Sequence, residues 1–165
     1  MKKLFLLPFL VFVMLFTSCE KAELFDGFIE PCCEFGASPN KVKQYMAKHK
    51  IDLLDDDGDW LKFGNYGDCK YFYYEFEDGK MNMSSVDVKT KVFKRTLEQI
   101  EKKYVLAKTI GPNEGIEMRY YINKEKTTVL RIYVPTDFDV LLNYETFDIV
   151  YISIDFPGVK DILGW

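Results

Sequence analysis

The chain begins with one unbroken apolar run and then alternates apolar and polar positions in two different rhythms. Residues 4–16 are apolar throughout, with Lys2 and Lys3 ahead of them and Thr17-Ser18-Cys19 behind. A membrane-spanning helix needs ~20 such residues. A dozen, flanked by lysines on one side and small residues on the other, predicts an export signal over 1–18. Residues 19–31 carry several charges and hold no sustained period, so they read as a tether. The remainder, 32–165, has the length of one domain.

Within that domain the period of 3.6 appears twice. Ser38-Pro39 is a helix start, the hydroxyl capping a backbone N–H and the proline pre-set for the first turn. Val42, Tyr45, Met46 and His49 then share one face of a helix over 38–50. Thr90 is placed to cap a second helix, in which Phe93, Leu97, Ile100 and Tyr104 recur at helical spacing. Period two fills most of the rest. Residues 69–77 and 80–89 flank Asp78-Gly79, a strong hairpin signal, and put Phe72, Tyr74 and Phe76 on one face with Tyr71 and Tyr73 on the other. Asp57-Gly58 predicts a turn between two short strands. Gly111-Pro112-Asn113-Glu114-Gly115 reads as a breaker loop, followed by a second hairpin over 116–122 and 128–134. Residues 140–142 and 147–156 are expected to give at least one more long strand, which Pro157-Gly158 ends before a short tail to Trp165. The order of elements repeats. It predicts an α+β domain with two helices packed on one face of an antiparallel sheet, as two αβββ-like halves.

Thr17-Ser18-Cys19 resembles the lipobox of bacterial lipoproteins, with the difference that Phe16 stands where Leu is usual and the leucine is Leu15. The resemblance implies diacylglycerol on Cys19, so that the mature chain starts there and the membrane is a partner through its lipid. The acidic residues after Cys19 weakly resemble the surface-export signals of Bacteroides-type lipoproteins, leaving periplasmic and cell-surface faces of the outer membrane both open. The opening Gly36-Ala37-Ser38-Pro39 with Val42, followed by an aromatic strand ending in Asp78-Gly79-Lys80, looks like the β-lactamase-inhibitor-protein-like fold, the small outer-membrane assembly lipoproteins and the small envelope lipoproteins of Bacteroides-type bacteria. These families carry over no catalytic residue.

Charge and chemistry narrow the picture further. Once Lys2 and Lys3 leave with the signal, 20 basic residues face 26 acidic ones, so no electrostatic footprint for nucleic acid exists. In an oxidising compartment Cys32 or Cys33 is expected to bridge Cys69, closing a loop of about 37 residues worth ~4 kcal/mol on the chain-entropy model; a vicinal Cys32–Cys33 bridge is strained. One histidine and no Cys-x-x-Cys pair argue against a metal. The aspartates at 55, 56, 57 and 59 lack the glycine and glutamate positions of a calcium loop. No nucleophile elbow or phosphate loop occurs, and neither cofactor nor catalytic residue is expected. A hydrolase reading would have to rest on Cys33 with His49. The expectation is a non-catalytic protein-binding or assembly module of the cell envelope, with Trp60, Tyr71 and Tyr73 as its candidate binding surface. The alternative is a glycan-binding lipoprotein that uses the same rings as a platform.

Overall fold

The computed structural model describes residues 23–25, 27–141 and 143–165; the export signal, Cys19 and the first residues of the tether lie outside them. The chain is mixed helix and sheet, dominated by one eight-stranded antiparallel sheet. In order it runs β1 (Glu23–Phe25), β2 (Phe28–Ile29), α1 (Pro39–Lys48), β3 (Leu53–Asp56), β4 (Trp60–Phe63), β5 (Cys69–Glu77) and β6 (Lys80–Lys89). A 3-10 turn (Thr90–Val92) leads into α2 (Phe93–Lys103). There follow β7 (Val105–Asn113), β8 (Ile116–Ile122), β9 (Thr128–Pro135), α3 (Phe138–Leu141), β10 (Thr146–Ser153) and α4 (Val159–Leu163). The strand order β3-β4-β5-β6-β10-β9-β8-β7 is symmetric about the β6–β10 seam, with a four-strand meander on each side.

Pairing aligns whole rungs across the sheet. Leu61, Tyr74, Ser84, Tyr151, Leu130, Tyr121 and Leu106 stand side by side, as do Phe63, Phe72, Val86, Ile149 and Ile132. Both rungs point to the helix side. Val42 and Met46 of α1 and Phe93 and Ile100 of α2 join them in a single core. Alternation along the inner strands therefore buries this face at the centre of the sheet, as a period of two requires, while the edge strands β3 and β7, Leu106 included, stay exposed.

Ser38 caps α1, accepting from the Lys41 N–H at 3.4 Å. Asp78 and Gly79 both take positive φ, which fits the twist of a two-residue hairpin. The aspartates of the β3–β4 turn bind their own backbone: Asp57 accepts from the N–H groups of Asp59 and Trp60, and Asp56 from that of Gly58. That is a solvated turn.

Five expectations change. The tether does not reach residue 31: Phe28, Ile29, Glu30 and Pro31 are buried, and β2 belongs to the core, because two adjacent large apolar residues pack with it rather than face water. Thr90 does not cap α2. It opens the 3-10 turn and gives its hydroxyl to the Tyr144 carbonyl at 2.6 Å, and α2 starts without a side-chain cap. Residues 111–113 are strand, not loop, since β7 is an edge and Pro112 needs no ladder partner on its outer side. Val140 lies in the short helix α3 rather than a strand. Among the described residues Cys32, Cys33 and Cys69 form no disulfide with one another. The Cys32 carbonyl accepts from Ser84, whereas Cys69 faces Val88, four residues and about 13 Å further along β6, beyond the reach of a bridge. The Cys33 thiol donates to the Pro31 carbonyl at 3.2 Å.

Candidate functional site

The second face of the sheet is treated differently in its two halves. On the β10-β9-β8 side, Tyr120, Ile122, Val129, Val150 and Ile152 form a separate apolar cluster with Ile154, Val159 and Leu163. The C-terminal segment after Ser153 turns back and lays α4 over them. No described element covers the β4-β5 side in this way, where Trp60, Lys62, Tyr71, Tyr73, Ser85 and Asp87 alternate with buried neighbours and remain half-buried.

One rung crosses this face from strand to strand: Lys62, Tyr73, Ser85, Val150, Arg131, Tyr120 and Lys108. The Tyr71 and Tyr73 rings meet edge to face at 6.2 Å. The Lys62 ammonium stands 4.2 Å from the Tyr71 ring centre and 5.5 Å from that of Tyr73, and the Lys70 ammonium stands 5.6 Å from that of Tyr71. Such contacts hold rings and ammonium groups in one arrangement at a gain of about 0.5–1 kcal/mol each where exposed. Lys70 is also paired with Glu145 at 2.7 Å.

At the seam, Asp87 on β6 lies directly opposite Asp148 on β10. Like charges opposed across a ladder destabilise a sheet. Burial first, and then the neighbouring Asp148, raises the Asp87 carboxyl above the usual carboxylate value; the Tyr73 hydroxyl, donating at 3.4 Å, and the two lysines oppose that shift. Burial followed by Asp87 also pushes the Tyr73 phenol upward. The result is a patch of aromatic rings with two carboxylates at one border and ammonium groups over the rings.

Trp60, Tyr71 and Tyr73 are thus brought to the same face, while Cys32, Cys33 and Cys69 belong to the opposite side of the molecule. Cys69 is buried and its thiol is pushed up to about 12, chiefly by that burial, so it carries no thiolate at neutral pH. His49 ends α1 with its ring edge-on to Tyr45 at 4.7 Å. Among the described residues no three histidine, cysteine or acidic side chains gather as metal ligands, and no helix is long and apolar enough to cross a membrane. Lys62, Asp87 and Asp148 are members of the patch that the hydrophobic pattern did not single out. The signal was an acid in mid-strand between apolar neighbours, Val86-Asp87-Val88 and Phe147-Asp148-Ile149.

Comparison with protein-family models, with curated proteins and with solved structures finds no match to this chain.

Proposed function

We propose that the chain is a lipid-anchored, non-catalytic cell-envelope protein of the outer membrane whose uncovered half-face, centred on Tyr71 and Tyr73, binds another envelope protein. The two halves, each a helix followed by four antiparallel strands, are read as one repeated unit similar to the β-lactamase-inhibitor-protein-like fold. One observation carries the binding reading: α4 closes the apolar half of the outer face, and among the described residues no element covers the aromatic half in the same way. Tyrosine and tryptophan ringed by charge have the composition of an interface centre with a polar rim.

A glycan is the second reading, favoured by one feature. Tyr73 stands with its hydroxyl on Asp87, so ring stacking and a carboxylate acceptor are offered together. The two separate in one experiment on the protein purified from envelopes under mild detergent, wild type against Tyr73→Ala. A stoichiometric protein partner lost in the variant supports the first reading. Glycan-array binding lost in the variant, with no protein partner, replaces it with the second. Retention of both by the variant removes this face from consideration.

A further inference from the structure

The described chain enters the body on the helix side. Tyr45 of α1 donates its hydroxyl to the Glu30 carbonyl at 3.0 Å, and Lys103 and Tyr104 at the end of α2 hold the Glu30 carboxylate. Ahead of them Gly27 lies on Gly67 so closely that a Cβ on Gly67 would fall 2.4 Å from the Gly27 Cα, and the Asp68 N–H donates to the Gly27 carbonyl at 2.8 Å. β1 pairs back on β2. Between β1 and Cys19 only residues 20–22 remain, a span of about 10 Å when extended.

The helix side is also where the basic residues gather. Residues 38–50 contain Lys41, Lys43, Lys48 and Lys50 and no acid; residues 90–104 contain Lys91, Lys94, Arg95, Lys102 and Lys103 against Glu98 and Glu101. These 28 residues carry a net charge of +7 within a chain of −4; with the four acids paired to their lysines counted beside them, the helix layer carries +3 and everything else −7. Lys41, Lys43, Lys91 and Lys103 are engaged with Glu34, Asp56, Asp68 and Glu30. Lys48, Lys94 and Lys102 are exposed, and among the described residues they make no ion pair.

We infer that the layer formed by α1 and α2 is a docking surface for anionic phospholipid headgroups, which turns the aromatic face of the sheet away from the bilayer. The inference rests on the reading of Cys19 as lipid-bearing and deepens it. A three-residue spacer, about 10 Å even when extended, keeps the nearest part of the body within little more than one Debye length of the headgroups, ~8 Å at physiological salt. Over that distance each ammonium raises partitioning onto an anionic surface by about fivefold. The acidic remainder of the molecule is repelled by the same surface. Reach and charge therefore select one orientation together.

The test uses the full mature chain with Cys19→Ser, so that lipid insertion does not mask surface binding, and vesicles of phosphatidylethanolamine with 30% phosphatidylglycerol or of phosphatidylcholine alone. Sedimentation with the anionic vesicles at low salt, release at 0.5 M salt and no sedimentation with phosphatidylcholine are expected. The triple variant Lys48→Glu, Lys94→Glu, Lys102→Glu is expected to lose more than tenfold in binding, and Lys108→Glu with Lys124→Glu to lose little. The matching Lys→Gln triple variant serves if the glutamates disturb folding. Equal binding to both vesicles, no binding to either, or a folded triple variant that binds as before would overturn the proposal. Acylation is read separately, from the mass of the native amino terminus. An unacylated Cys19 overturns the anchor and the orientation built on it, whereas failed sedimentation with an acylated terminus overturns the lysine surface alone.

Discussion

The two halves of the sheet have matching strand order and unlike outer faces. On β10, β9 and β8 the outward positions are Val150, Ile152, Val129, Ile122 and Tyr120, and the chain spends its last residues covering them. On β4, β5 and β6 the corresponding positions are Lys62, Tyr71, Tyr73, Ser85 and Asp87, and the described chain leaves them half-open. An apolar patch must be buried by something, and here the molecule buries one itself. A mixed patch of rings and charges tolerates water, so it can persist uncovered. That difference supports the proposal that the first half is the binding surface.

The largest expected effect is on the covered half. Truncation after Phe156 strips Val159 and Leu163 from the sheet and exposes its apolar rung. Loss of cooperative unfolding with binding of a hydrophobic dye is the expected result, and Leu163→Ala alone should cost about 2–4 kcal/mol in chemical denaturation. Next in size is a matched pair on one rung. Tyr120→Ala, at a residue 5% exposed, should cost about 3 kcal/mol. Tyr73→Ala, at a half-buried site, should cost about 1 kcal/mol or less while removing partner binding. Equal stability costs for the two would erase the distinction between the halves.

The smallest effect lies at the seam. Because the folded protein raises the Asp87 carboxyl above its usual 3.8, the native state binds more protons than the unfolded chain just above that value. Stability from this group is therefore full below 3.8 and is lost as pH rises through the raised value. Asp87→Asn should flatten that decline and add a few tenths of a kcal/mol at neutral pH, by relieving the opposition to Asp148. Thermal melts of wild type and variant between pH 3 and 7 check the sign, and a growing advantage for the wild type with rising pH would show that Asp148 does not repel it.

Local chemistry made much of this legible. Asp78-Gly79 and the alternation around it located β5, β6 and the turn between them, and Ser38-Pro39 located α1, because each signal acts within a few residues. What escaped depends on distant contacts. Phe28 and Ile29 make a strand of two residues only by pairing with β1, and they join the core. α4 has five residues, too few to display a helical period. β7 contains Gly111-Pro112 and exposes Val105, Leu106 and Ile110, a composition that reads as a break unless the strand is known to be an edge. The cysteine reading failed for a related reason: oxidising surroundings favour a bridge, but Cys32 and Cys69 sit at different heights on the sheet. Tyr71 and Tyr73 were legible as sharing one face from the alternation within β5; that Trp60 joins them depends on the pairing of β4 with β5. The opposition of Asp87 to Asp148 was not, since it requires pairing between strands sixty residues apart.

The most direct measurement leaves Tyr73 in place and puts a photo-reactive residue at the exposed position 75, beside it on the same face of β5 and opposite Trp60, and in a second strain at the exposed position 44 of α1, followed by irradiation of intact cells. A single protein adduct from 75, with lipid adducts or none from 44, is the expected result. A protein adduct from 44 together with none from 75 would contradict the assignment of the aromatic half-face as the binding surface.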